Sequence, residues 1–375
     1  MNSDHELSEM KARLTLIDCS VEMTGFFKDQ VDLPSPSRTQ MREHRDANRK
    51  RLRSGLTKAD NPLPRNFHSQ GSYAMKTMVQ HDDNKYDIDD GVYFDKDQLV
   101  GDRGGEMTSL ATRQMVRDAV DDGCFASPPE VRKHCVRVYY QAGYHVDLPI
   151  YRKVEEKDWL GSIIAHYELA SVSWKRSDAR DVTKWFDERN ESLSPASDRD
   201  QMRRICKLLK KFAHSRPSWS SQVTTGFVIT KLVTERLKSV IQRDDDTLLQ
   251  TMKSILDRLN WNSEVAHPVT PNEKLSKGSG DSKIAFFRDR LSDAMEWLKP
   301  LDSPTCTKSE ALKAWDKVFN ADYFSDQIVA EDSKQQSKSA SWIEGAVATA
   351  GILGAISAEA AKSKPVNKHG SNRYA

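Results

Sequence analysis

The sequence has few cysteines, almost no net charge and no long hydrophobic run. Its five cysteines are scattered without metal-ligand spacing, which argues against a disulfide framework or a zinc site and indicates reduced thiols. The net charge of +2 over 375 residues provides no general attraction to long nucleic acid. The cysteines are Cys19, Cys124, Cys135, Cys206 and Cys306.

Signals for membranes and secretion are also lacking. The apolar segment Ala346 to Ala358 is shorter than the ~20 residues that a spanning helix needs. The N-terminus is polar and acidic, without a basic and apolar signal region. Charged residues make up 30% of the chain and the mean hydropathy is −0.70, as in soluble globular proteins. We therefore expect a cytoplasmic protein that does not contact membranes.

The segment Tyr86 to Phe94, YDIDDGVYF, is β-branched and aromatic apart from its acids, which predicts a strand. Side chains alternate along a strand, so Asp87 and Asp89 share one face while Asp90 points to the other. Hard Mg²⁺ ions prefer oxygen ligands, and phosphoryl transfer uses pairs of them. We therefore expect two Mg²⁺ ions here, for which Mn²⁺ can substitute.

A third carboxylate is expected on a neighbouring strand. Asp147 lies in Tyr144 to Tyr151, which follows the strand-like Cys135 to Tyr140 across the turn Gln141-Ala142-Gly143. These two segments predict a β-hairpin. An Asp-x-Asp pair alone is often just a solvated turn, and a lone Gly-Ser is weaker still. The ordered set of Gly71-Ser72, Asp87-x-Asp89 and Asp147 is far more specific.

This set resembles the polymerase-β-like nucleotidyltransferase superfamily, and more narrowly the bacterial cGAS/DncV-like nucleotidyltransferases near the dinucleotide cyclase branch. The resemblance extends from about residue 40 to about 320. Three weaker blocks agree with it: Ser177-Asp178 with Val182, Trp185 and Phe186; the helix from Met202 to Lys210; and Ala266 to Glu273.

The resemblance implies roles for individual residues. Asp87, Asp89 and Asp147 match the catalytic, metal-binding triad, while Gln70, Gly71 and Ser72 match the turn that grips the donor triphosphate. Lys210 matches a phosphate-contacting lysine, and either Thr224 or Thr225 matches a phosphate-binding hydroxyl. Relatives carry a base-stacking aromatic residue three positions after the serine, where this chain has Met75.

The helix from 200 to 214 has two predicted faces. Arg203, Lys207, Lys210 and His214 form a basic stripe at helical spacing, opposite an apolar face. Such a stripe would hold a triphosphate, but it is also typical of an ordinary solvated helix face.

The predicted fold is α+β, with a mixed-sheet catalytic lobe packed against a helical lobe and a cleft between them. We expect N-terminal helices and the catalytic core in residues 1–199, a helical lobe in 200–330, and a C-terminal helix and disordered tail in 331–375. Five helices are predicted from 200 onwards, and residues 265–282 are predicted to form a mobile loop at the rim of the cleft.

These features predict an enzyme that joins ATP and/or GTP into a cyclic di- or trinucleotide second messenger. The resemblance places such enzymes mostly in anti-phage defence. Two alternatives stay open: a nucleotidyltransferase acting on RNA or a small molecule, and a non-enzymatic nucleotide-sensing module. The tail, Lys362 to Ala375, resembles those of relatives that a ubiquitin-transfer-like partner joins to target proteins; an inert tail is the equal alternative.

Overall fold

The computed structural model describes residues 17–80, 86–101, 103–140 and 143–328. The described residues up to Ala321 belong to one compact unit, and residues 322–328, which are largely helical, belong to a second. The sheet and the candidate site belong to the first unit. The predicted apolar segment at 346–358 and the predicted tail lie outside the described residues.

A mixed sheet of eight strands forms the centre of the first unit within the described ranges. The strands are β1 (Asn66–Gln70), β2 (Asp87–Asp95), β3 (Glu130–Val131), β4 (Val136–Tyr139), β5 (His145–Leu148), β6 (Ile150–Lys157), β7 (Ile163–Ala170) and β8 (Trp174–Arg176).

Strand β2 is the central element of this sheet. It pairs antiparallel with β1 and parallel with both β5 and β6. The predicted hairpin is confirmed, because β4 and β5 pair antiparallel. The segment from 144 to 151, predicted as one strand, is instead two strands separated by Pro149. Proline has no N–H to donate to a strand ladder, which explains the break.

The helices of the first unit pack on the sheet or on one another. They are α1 (Ser20–Phe26), α2 (Ser35–Lys58), α3 (Gly71–Ala74), α4 (Ser109–Val120), α5 (Ala179–Leu193), α6 (Gln201–Ala213), α7 (Gly226–Arg236), α8 (Asp244–Trp261), α9 (Ser282–Leu298) and α10 (Lys308–Phe319). A π-helical turn, Phe27–Val31, follows α1, and the described part of the first unit also contains three short 3-10 turns: Lys96–Gln98, Pro217–Trp219 and Lys299–Asp302.

Helices α2 and α4 cover the even-numbered face of β2. Leu52 of α2 and Val116 of α4 share a buried core with Ile88 and Val92. The two helices approach closely at Gly55, where a β-carbon would stand only 1.9 Å from the Ala119 carbonyl oxygen. This packing leaves the odd-numbered face of β2, which carries Asp87 and Asp89, for other contacts.

The five helices predicted beyond residue 200 all occur in the structure as α6 to α10. The helix α5 and the strands β7 and β8 were not predicted. Among the described residues, no helix combines the length and apolar character needed to cross a membrane.

Candidate active site

Three carboxylates meet on adjacent strands of the sheet. Asp89 is the register partner of Asp147 across the parallel pair of β2 and β5, and Asp87 precedes Asp89 on the same face. Asp89 also pairs with Gln70 of β1, so β1 and β5 flank opposite edges of β2 at this point. The topology therefore brings the predicted triad and the predicted Gln-Gly-Ser turn to one place.

Asp89 is the most perturbed of the three acids. Burial, together with the neighbouring carboxylates of Asp147 and Asp87, raises the pKa of Asp89 to about 7. The two neighbouring acids differ in exposure: Asp147 is buried, whereas the Asp87 side chain is 60% exposed. The cluster thus concentrates negative charge that the folded chain only partly compensates.

Two basic side chains hold the other carboxylates. Arg137 of β4 makes a bidentate pair with Asp147, with both N–O distances at 2.7 Å. His145 Nε2 lies 2.6 Å from Asp87 Oδ1, and this contact lowers the pKa of Asp87 against the opposing effect of burial.

The chemistry of these donors fits divalent cations. Hard oxygen ligands on adjoining strands are what Mg²⁺ takes, and the raised pKa of Asp89 marks a site where added positive charge is favourable. In the part of the chain that the structure describes, no three acidic, histidine or cysteine side chains already converge on one ion position. To bind the ions, Asp87 would have to release His145, and Asp147 would have to release Arg137.

Gly71 packs directly on Asp89. Its φ of +63° lies in the left-handed region that favours glycine, and a β-carbon there would stand 2.3 Å from Asp89 Oδ2. The glycine of the Gly-Ser turn is therefore required both by the backbone and by the position of the carboxylate.

Ser72 lies in the first turn of the short helix α3, whose N-cap is Gln70. Ser72 is therefore not the N-cap of this helix. Gln70 is buried, and its side-chain Oε1 has no hydrogen-bond partner among the described residues. Met75, at the position of the stacking aromatic in relatives, is also buried and offers no exposed face to a base.

Lys210 lies beneath this turn. Its ammonium group donates to the Thr77 hydroxyl at 2.9 Å and to the Thr77 carbonyl at 3.1 Å, while the Thr77 N–H donates to the Ser72 carbonyl at 2.9 Å. Burial lowers the pKa of Lys210 to about 8. The lysine is thus linked to the Gly-Ser turn through Thr77.

The two candidate threonines differ in their surroundings. Thr225 is the N-cap of α7, where its hydroxyl accepts from the Val228 N–H at 3.4 Å. Thr224, just before it, is buried and is not the capping residue. Gly226 brings this helix start to Lys210, because a β-carbon on Gly226 would lie 3.2 Å from Lys210 Cε.

The basic stripe on α6 is not a solvated face. Lys207 and Lys210 are both buried, and Lys207 pairs with Asp32. Arg203 donates to the Met75 carbonyl at 3.0 Å and also pairs with Asp187. Arg203 and Lys207 thus bind other parts of the chain, and His214 is the C-cap residue of α6.

Asp90 points away from the triad, as the strand alternation predicts. It is fully buried and accepts from Arg49 Nε of α2 at 2.7 Å and from the Ser69 hydroxyl at 3.1 Å. Asp90 therefore fixes β2 to α2 and is a structural acid.

A cavity of about 780 Å³ contains none of the triad residues in its lining. It is lined by two blocks that are distant in sequence, Arg176–Val182 and His267–Glu273, together with part of β7. Tyr93, four residues beyond Asp89 and roughly 13 Å along the strand, contacts Asp178 of this cavity through its hydroxyl at 3.3 Å. The loop predicted at the rim of the cleft thus borders a cavity.

Sequence reasoning missed several residues of the site. Arg137 could have been found, because the predicted hairpin places it directly opposite Asp147, as the register confirms. His145 could also have been considered, because it lies two residues before Asp147 in the same predicted strand. Thr77 carried no signal, because its role depends on a lysine 133 positions away.

Comparison with known proteins agrees with this geometry. Residues 65–151 match the family model described as the nucleotidyltransferase domain of cyclic GMP-AMP synthase DncV-like proteins. The match includes β1, β2, β5 and all three acids.

Solved structures share the fold across most of the chain. CdnC of E. coli MS115-1 with ATP is 17% identical, with a TM-score of 0.59, covering 82% of this chain and 99% of that one. DncV of Vibrio cholerae with GTP and 5MTHFGLU2 is 17% identical, with a TM-score of 0.64 and coverages of 81% and 96%. The same cyclic AMP-GMP synthase with a linear intermediate is 16% identical, with a TM-score of 0.60 and coverages of 78% and 92%. The α+β, polymerase-β-like fold is therefore confirmed.

Proposed function

From the premise that residues 65–151 match a DncV-like nucleotidyltransferase domain, we propose that this enzyme condenses ATP and/or GTP into a cyclic di- or trinucleotide. The observation that carries the proposal is the register of Asp89 with Asp147, with Asp87 on the same face and Gly71 packed against Asp89. Carboxylates on two adjacent strands beside a Gly-Ser turn are suited to phosphoryl transfer between nucleotides.

Asp87, Asp89 and Asp147 would hold two Mg²⁺ ions, or Mn²⁺ in their place. When bound, such ions neutralise triphosphate charge and lower the pKa of an attacking hydroxyl. The chain itself supplies the positions of the ligands, because β2 and β5 fix them in register.

The Gly-Ser turn would bind the donor phosphates. The Ser72 hydroxyl, which caps no helix, is available to donate to a phosphate oxygen. Lys210 supports the turn from below through Thr77, and its positive charge favours an anion above it. Either Thr224 or Thr225 would supply a second phosphate-binding hydroxyl, because the Thr225 hydroxyl accepts from the Val228 N–H and keeps its own proton to donate.

The acceptor nucleoside would occupy the cavity bordered by Asp178 and by His267–Glu273, whose size suits a nucleotide. Its ribose oxygen forms a bond to the donor α-phosphorus while the bond to pyrophosphate breaks, and Asp147 helps to remove the hydroxyl proton. A second turnover on the linear product closes the ring. That Vibrio cholerae DncV was solved with a linear intermediate supports this order.

Two alternatives are distinguished by the product. An enzyme that adds nucleotides to RNA or a small acceptor would make no cyclic species, and a sensing module would bind nucleotide without turnover. Incubation with labelled ATP, GTP, CTP and UTP plus Mg²⁺, followed by phosphatase and mass spectrometry, separates them. A phosphatase-resistant oligonucleotide supports the proposal, whereas only linear or unchanged nucleotides contradict it.

We place this activity in cytoplasmic anti-phage signalling, with conjugation of the tail Lys362 to Ala375 by a ubiquitin-transfer-like partner. The support for both is the sequence resemblance, and the tail lies outside the described residues. Deleting the last few residues should leave basal synthesis unchanged and abolish partner-dependent conjugates in cells. Conjugates that persist on the truncated chain would rule out the tail as the attachment point.

A further inference from the structure

A second groove lies on the helical part of the unit, formed by α8 and by the connection from α7 to α8. It has a volume of about 450 Å³ and contains none of the triad, turn or cavity residues described above. The lining side chains are Arg236, Lys238, Gln250, Lys253, Ser254, Asp257, Arg258 and Trp261.

The groove is strongly basic in a chain of nearly balanced charge. Arg236, Lys238 and Lys253 are exposed, and none forms an ion pair with another described residue. Asp257 is the single acid in the lining. Arg258 is anchored elsewhere, since it pairs with Glu235 at 3.2 Å. Three exposed cations against one acid around a concave surface favour an anionic ligand.

The groove also presents an aromatic surface. Trp261, the last residue of α8, is 84% exposed. Its spacing from Gln250, Ser254 and Asp257 places these residues on one face of α8, so the indole stands at the end of the polar wall. An indole this exposed contributes little to folding, whereas it can stack on a base.

We propose that this groove is a second nucleotide-binding site, in which Arg236, Lys238 and Lys253 bind phosphate and Trp261 stacks on the base. Its volume suits a single nucleotide. The nucleotide is either a free phosphorylated nucleoside or one unit of an RNA strand. The site stands independently of the reaction proposed above, because it shares no residue with it.

The test uses the full chain in EDTA, so that metal-dependent binding at the triad does not contribute. Two probes are titrated separately: 8-azido-ATP, by calorimetry and photo-crosslinking, and a fluorescein-labelled 12-nucleotide single-stranded RNA, by polarisation. The groove variants are Lys253→Glu and Trp261→Ala. The matched controls are Lys313→Glu, an exposed cation on α10, and Trp159→Ala, an indole that is 90% exposed on the β6–β7 loop.

We expect Lys253→Glu to weaken binding of the effective probe at least tenfold and Trp261→Ala to weaken it roughly fivefold or more. The controls should bind as the unaltered chain does, and 8-azido-ATP crosslinks should map to residues 236–261. Binding of mononucleotide identifies a free nucleotide as the ligand, and binding of the strand alone identifies RNA. If neither probe binds, or if groove and control variants bind alike, the proposal is overturned.

Discussion

Replacing Gly71 by alanine tests the link between the Gly-Ser turn and the carboxylates. The added β-carbon would stand 2.3 Å from Asp89 Oδ2, where an ordinary contact begins at 3.4 Å. The Asp89 carboxylate must therefore shift by roughly 1 Å, and a misplacement of that size can cost about 100-fold in rate. The substitution also strains the backbone, because a φ of +63° in an L-residue lowers the folding stability by roughly 1–2 kcal/mol.

The matched control for backbone strain is Gly123→Ala. Gly123 has a φ of +76°, and no heavy atom lies within 4 Å of the position that an added β-carbon would take. Both variants should therefore lose a similar few degrees of Tm, whereas Gly71→Ala alone should lose synthesis and Mn²⁺ affinity.

The measurements are melting curves, steady-state product formation from ATP and GTP, and Mn²⁺ titration followed by electron paramagnetic resonance. If Gly71→Ala forms product as fast as Gly123→Ala, Asp89 is not placed by this turn for catalysis. If both variants lose activity equally, strain in the fold explains the loss.

Four further predictions concern single side chains. Asp87→Ala and Asp89→Ala should each abolish detectable product without unfolding the chain; full activity in either would contradict the assignment of the triad. Because the pKa of Asp89 is raised from 3.8 to about 7, the folded chain without metal should lose stability as pH rises through that window. The Tm of Asp89→Asn should therefore exceed that of the unaltered chain at pH 8 and equal it near pH 4; equal Tm values at both pH values would refute this. Asp90→Asn should lower the Tm, since it removes the buried charge paired with Arg49, yet keep the activity of the folded fraction within a few-fold. Ser72→Ala should lower kcat/KM for nucleotide about 10- to 100-fold, as expected for a hydrogen bond to a charged oxygen, with Tm unchanged. A fall in Tm with normal kinetics would instead indicate a structural role for Ser72.

Those parts of the protein that depend on local pattern could be predicted from the amino-acid sequence. Period-2 alternation in YDIDDGVYF placed Asp87 and Asp89 on one face and Asp90 on the other, as the structure has them. Helical periodicity located α6 to α10 within a few residues. The short predicted connection between β4 and β5 implied their antiparallel pairing, which places Arg137 opposite Asp147. The register of Asp147 with Asp89 comes instead from the parallel pairing of β2 and β5.

Contacts between distant segments could not be predicted in this way. The basic residues of α6 form a stripe in the sequence, but packing buries Lys210 under Thr77 and pairs Lys207 with Asp32. The collision between a Gly71 side chain and Asp89 depends on β1 lying beside β2, which no local pattern specifies. The second groove likewise arises because α8 lies beside the end of α7 and the connection after it. These features rest on long-range contacts, whose partners a linear pattern does not identify.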